Sequence, residues 1–98
     1  MKVENTYTIA TRTEGTNIYV TFRTRRNFRS ALLRKGVKTF AFGLLVYKDD
    51  KLVAKALGNV HQTRRIPENL TETLKVSVPE ESDYDIKAVV VAEPEKVV

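Results

Sequence analysis

Thr73-Leu74-Lys75-Val76-Ser77-Val78 alternates polar and apolar side chains. Beyond Pro79-Glu80-Glu81-Ser82-Asp83 a second alternating run opens with Tyr84-Asp85-Ile86-Lys87-Ala88 and continues to Ala92. A period of two over such lengths predicts a pair of half-buried strands. The five joining residues contain no glycine and do not suit a two-residue hairpin, but they can carry the chain from one sheet to another. Two sheets around a shared core are therefore expected.

Upstream, the same periodicity recurs. Thr6 to Thr11 is rich in residues that suit a pleated surface, with Tyr7 and Ile9 on one face, and Glu14-Gly15-Thr16-Asn17 turns it back. Ile18, Val20 and Phe22 then alternate with Tyr19, Thr21 and Arg23. From Arg25 to Gly36 the alternation fails. Asn27 followed by Phe28, Ala31, Leu32 and Leu33, with Gly36 beyond, predicts a short N-capped, glycine-terminated helix at residues 28–35. Val37 to Lys48 is apolar on both faces, with Phe40, Phe42, Leu44 and Val46 on one and Ala41, Leu45 and Tyr47 on the other, which predicts a central strand. Lys48-Asp49-Asp50-Lys51 makes a polar turn into a hairpin partner, Leu52 to Leu57. Asn59 to Ile66 is expected to be a polar edge strand stopped by Pro67, with His61 exposed on it, and residues 93–98 a tail. The sum is an all-β, antiparallel β-sandwich of about seven strands, one domain over residues 1–98. Phe22, Phe42, Leu44, Leu74, Val76, Tyr84, Ile86 and Val90 are expected to share its core.

Val78-Pro79 followed by Tyr84, Ile86 and Ala88 resembles the tyrosine corner of fibronectin type III and other immunoglobulin-like sandwiches. The resemblance implies that the Tyr84 hydroxyl bonds back to main chain a few residues upstream. From Thr16 to Ala92 the order of strands is also similar to compact immunoglobulin-like modules of bacterial and archaeal surface proteins. Unlike antibody-type domains, the chain has neither Trp nor Cys. Such sandwiches host many unrelated tasks, so the resemblance speaks to fold and not to function.

Composition narrows the chemistry. Ninety-eight residues, 42% hydrophobic and 30% charged, suffice for one two-layer core without disulfides or a metal. With no cysteine there is no thiolate chemistry or disulfide framework. One Met and one Gln beside many Arg, Lys and Glu lean towards a thermophilic source. The apolar run Phe40 to Tyr47 is too short to cross a bilayer, and Met1-Lys2-Val3-Glu4 opens no signal-peptide hydrophobic region. Compartment stays open. His61 is the sole histidine, so neither a Ser-His-Asp arrangement nor a two-His metal site can be completed. Glu80, Glu81, Asp83 and Asp85 are oxygen ligands of the kind calcium takes, but they match no calcium-loop spacing and read as a solvated acidic corner. No catalytic, cofactor-binding or metal-binding constellation is expected, and the protein is not expected to be an enzyme.

Charge is where the chain departs from an evenly mixed surface. No acid occurs between Gly15 and Lys48, while Arg23, Arg25, Arg26, Arg29, Arg34, Lys35 and Lys38 form a basic patch there. Residues 15–67 carry +10 and residues 68–98 carry −5, the latter concentrated in the Glu80, Glu81, Asp83 and Asp85 corner. A basic patch on one copy can meet an acidic patch on the next, a head-to-tail contact suited to a repeated component of a virion, filament or surface array. The partners would then be other protein subunits, in a homo-oligomer or larger assembly. Alternatively, the basic Arg23–Lys38 segment binds nucleic acid, with Tyr19, Phe28 or Tyr47 as stacking surface.

Overall fold

The computed structural model describes residues 6–96. The opening Met1-Lys2-Val3-Glu4 run and the final Val97-Val98 lie outside the described residues. In chain order the elements are β1 (Tyr7–Glu14), β2 (Asn17–Thr24), α1 (Phe28–Arg34), β3 (Thr39–Lys48), β4 (Lys51–Leu57), β5 (His61–Gln62), β6 (Thr71–Ser77) and β7 (Asp85–Ala92), with 3-10 turns at Thr63–Arg65 and Pro94–Lys96.

Two antiparallel sheets result. One has the order β1-β2-β6. In the other β3 is central: β7 runs along one edge, while β4 and then β5 share the opposite edge. The chain crosses between sheets at Pro79–Asp83, because β6 belongs to the first and β7 to the second.

Between the sheets the even-numbered residues of β2 and β3 interlock. Phe22 stacks on Phe42 with ring centroids 4.6 Å apart, and Phe28 of α1 meets Phe40 edge-on at 5.2 Å. Ile18, Val20, Leu44, Val46, Leu74, Val76 and Val90 complete the buried set, while Tyr84 and Ile86 are half-buried against its rim. Burial of five large aliphatic and aromatic side chains from each sheet is what makes strands of this length stable.

Local chemistry accounts for the connections. Gly15, at φ 61°, takes the first central position of the β1–β2 hairpin, where a left-handed residue matches strand twist. Asp49 and Asp50, at φ 51° and 65°, both adopt the left-handed conformation between β3 and β4, the pattern of a type I′ turn. At the end of α1, Gly36 N–H bonds to the Leu33 carbonyl and Val37 N–H to the Leu32 carbonyl, with Gly36 at φ 74°. That is a Schellman motif, and its hydrophobic contact joins the buried Leu32 and Val37.

Four expectations are corrected. Asn27 precedes α1, yet its side chain makes no capping bond; its carbonyl receives Ala31 N–H. The segment Asn59 to Ile66 is not one edge strand, since only His61 and Gln62 pair and Thr63 to Arg65 form a 3-10 turn. His61 is not exposed. Residues 93–96 are not a free tail: Glu93, at φ 48°, turns the chain over β3, its N–H bonds to the Thr39 carbonyl, and Pro94 is buried.

Candidate functional site

The strand directions sort the charges by end. At one end lie the finish of β2, α1, the start of β3 and the Thr63–Arg65 turn, which packs beside α1. Arg23, Arg25, Arg26, Arg29, Arg34, Lys35, Lys38, Arg64 and Arg65 are all exposed there. Glu68, Glu93 and Glu95 stand at the same end. Among the described residues no ion pair engages Arg25, Arg26, Arg29, Arg34, Arg64 or Arg65. Arg64 and Arg65 had no place in the patch expected from sequence, because a strand at Asn59–Ile66 would have spread them along an edge.

The other end is acidic. Asp85 opens β7 opposite Tyr47, and Ser77 closes β6 opposite Asn17, so the corner Glu80, Glu81 and Asp83 lies beside the β1–β2 and β3–β4 turns. Glu14, Asp49 and Asp50 thereby join the four corner carboxylates, against Lys48 and Lys51. The Tyr84 hydroxyl donates to the Glu80 carbonyl at 2.6 Å, holding the corner's backbone. Lys48 Nζ lies 2.7 Å from Glu80 Oε1, and this bond raises the lysine pKa and lowers that of Glu80. Two of the seven acids are thus already paired within the molecule, Glu80 with Lys48 and Glu14 with Arg12. Among the described residues no group of three or more His, Cys, Asp or Glu is gathered as a metal ion would need.

The sheets' two long sides also differ. On the β4/β6 side Glu72 clasps them together: its Oε2 accepts Asn59 N–H at 3.0 Å and its Oε1 lies 2.6 Å from His61 Nε2. Both side chains are largely buried, at 12% and 20% exposed, and His61 also lies over Phe40 at 5.3 Å. This clasp was missed from sequence, and only the isolated position of Glu72 on the core-facing side of Thr71 and Thr73 could have signalled it. On the β1/β7 side the sheets stand apart. Ile9, Thr11 and Thr13 share a face with residues paired to buried Phe22, Val20 and Ile18, yet all three are exposed, Ile9 by 44%.

No family model, curated protein or solved structure matches the chain. No helix among the described residues is long and apolar enough to cross a membrane. The molecule thus has a basic end, an acidic end, one clasped side and one open side.

The stacking surface expected for nucleic acid is not assembled. Phe28 is buried in the aromatic core. Tyr19 is half-buried between Arg12, 4.5 Å from its ring centroid, and Lys75, and Tyr47 lies under Lys87. Each of these rings is occupied by the protein's own side chains.

Proposed function

We propose that the chain is a non-enzymatic structural module of immunoglobulin-like form, a repeated component of a larger assembly such as a virion, filament or surface array. The observation that carries this reading is the placement of basic and acidic surfaces at opposite ends of one small molecule. A contact between unlike ends is heterologous: each copy keeps a free end of either kind, so addition repeats. Complementary potentials also set the orientation of encounter. The immunoglobulin-like form is supported by β2 lying beside β6 and β3 beside β7, and by the Tyr84 bond to the corner.

The test is a charge exchange. Arg25, Arg26 and Arg29 are reversed to Glu in one variant, and Glu81, Asp83 and Asp85 to Lys in a second, leaving the internal Lys48–Glu80 pair intact. Each variant alone should self-associate about tenfold or more weakly than the wild type, and an equimolar mixture should regain association between unlike copies. Association that persists in both variants would show the ends are not the interface.

One observation favours nucleic acid as a second reading. At the basic end Lys38 and Arg64 line a groove of about 490 Å³. Retention of the wild type on polynucleotide at low salt, lost in the Arg25, Arg26 and Arg29 variant, is the outcome that would support it. Passage through the column at low salt would remove it.

A further inference from the structure

The two outer faces of the sandwich differ in kind. On the β1-β2-β6 sheet the outward row Arg12, Tyr19 and Lys75 lies between a row that pairs Thr21 with Thr73 and one that pairs Asn17 with Ser77. Charges and hydroxyls are what a sheet presents to water. On the β3 sheet the outward positions at mid-strand are apolar. Register sets Leu57, Gly43 and Val89 in one cross-strand row and Ala41 beside Val91 in the next. Leu57, paired with Gly43 at the middle of β3, is 57% exposed. The turn Pro94–Lys96 folds onto this face at the basic end of β3, where Glu95 accepts a bond from the Thr39 hydroxyl at 2.6 Å. Beyond the turn a cavity of about 580 Å³ lies between Leu45, Leu57, Val89 and Pro94. Its floor is the backbone of Gly43, where a Cβ would come within 2.8 Å of Val89 Cγ2.

We propose that this face binds a second copy of the chain, face to face about a two-fold axis that runs across the strands, so that each β3 lies antiparallel over the other. The contact is separate from the end-to-end one and does not require it. Charge decides the orientation. Lys55 and Lys87 flank Leu45 in the row towards the acidic end, and neither has an ion pair among the described residues. Glu93 and Glu95 stand by Thr39 on the other side of the apolar rows. An axis crossing β3 at Phe42 turns the first set onto the second, lysine to glutamate, and lays the row of Gly43 over Ala41 and Val91 of the second copy. An axis along the strands would instead set Lys55 against Lys87 of the second copy and basic end against basic end. Like charges oppose that arrangement.

Shape agrees with charge. The Pro94–Lys96 turn is a ridge on the basic-end side of that axis and the hollow over Gly43 lies on the acidic-end side, so the rotation lowers each ridge into the other copy's hollow. Size sets the degree of overlap. The broad face of the molecule lies within 40 × 28 Å, and it supplies the roughly 800 Å² per copy of a stable interface only if two copies overlap along most of their length. The antiparallel arrangement gives that overlap and places every acidic end beside a basic end. Each end of the pair then carries one tip of either sign, so pairs still add end to end, as a double row.

Sedimentation in about 1 M sodium chloride separates the two contacts, because a screening length of roughly 3 Å suppresses the charged ends and leaves an apolar face intact. At high protein concentration the wild type should sediment as a dimer. Leu57→Glu should dissociate on the order of tenfold more readily, since its carboxylate would be buried unpaired between the faces, and Ala10→Glu on the polar outer face should match the wild type. Both residues are exposed, so neither change opens the core. A wild type that is monomeric in these conditions would overturn the proposal and leave the face to a different protein, and so would a Leu57→Glu variant that dimerises as well as the wild type. Orientation is read by crosslinking, since the chain has no cysteine of its own. Lys87→Cys mixed with Glu95→Cys and treated with a bis-maleimide reaching about 10 Å, the spacing of packed sheets, should give a linked heterodimer in severalfold excess over Lys87→Cys mixed with Lys55→Cys. The reverse preference would mean that the strands lie parallel and would overturn the axis. Growth at low salt without the salt-resistant dimer removes the face and keeps the ends. A salt-resistant dimer that does not grow at low salt keeps the face and removes the ends.

Discussion

Tyr7 is the residue on which the open side pivots. Its ring lies within 6.1 to 6.3 Å of Phe22, Phe28 and Phe42, while its hydroxyl crosses to Ala88 on the other sheet. Burial disfavours the phenolate and raises the Tyr7 pKa above 10.0. A folded-state pKa above the unfolded one means stability that is present below pH 10 and lost as pH rises through the folded value. Wild-type stability should therefore fall more steeply between about pH 9 and 11 than that of Tyr7→Phe, followed by chemical denaturation at each pH. Parallel curves would mean the phenol is not desolvated. At neutral pH the same substitution should cost on the order of 1 kcal/mol for the lost hydrogen bond. Tyr7 was legible as a strand residue sharing a face with Ile9; its reach to Ala88 was not, because a contact across 81 residues leaves no periodic trace. The same holds for Glu72 and His61, whose pairing depends on β4 and β6 closing one side of the molecule.

At the scale of elements, local signals were strong where the element is closed by its own sequence. Gly36 after a run of helix formers predicted where α1 stops, and the Schellman bonds supply the reason. Asn27 invited the opposite error. An N-cap residue type was present, but the backbone at φ −87° and ψ 0° does not aim its side chain at the first-turn donors. β5 failed for a different reason: two residues pair only because β3 outruns β4 and leaves Thr39 and Phe40 with an open edge. The β3–β4 turn carries a prediction of its own. Asp50 sits at φ 65°, where a side chain crowds the backbone and glycine does not. Asp50→Gly should raise stability by roughly 0.5–1 kcal/mol, net of the extra freedom glycine gives the unfolded chain, and Asp50→Val should lower it by about 1 kcal/mol or more. Thermal melts of the three proteins would check this, and equal midpoints would mean the turn is not type I′.

The whole molecule converts a division along the sequence into a division in space, though not the same one. Residues 15–67 carry most of the positive charge, yet Lys48 and Lys51 lie at the acidic end, and Glu68, Glu93 and Glu95 come from the acidic segment to the basic end. Strand reversal sorts residues by which end of a strand they flank, so a linear charge count located the two patches and only topology could set them apart. Their separation determines how assembly should grow. The molecule extends 40 × 28 × 19 Å, and strands of eight residues span about 26 Å before helix and corner are added, so the charged ends cap the long dimension. Unlike ends that face away from each other along that axis add copies by translation, and no ring closes unless the contact also bends. Light scattering at low salt should therefore show mass rising with concentration without a plateau, with an axial repeat near 40 Å in electron micrographs of the products. Raising salt to about 1 M shortens the screening length to roughly 3 Å and should return short oligomers or monomers. A sharp plateau at a fixed subunit number would mean the contact closes on itself. A wild-type protein that stays monomeric at high concentration and low salt, with no partner supplied, would mean that the ends are complementary to a different protein.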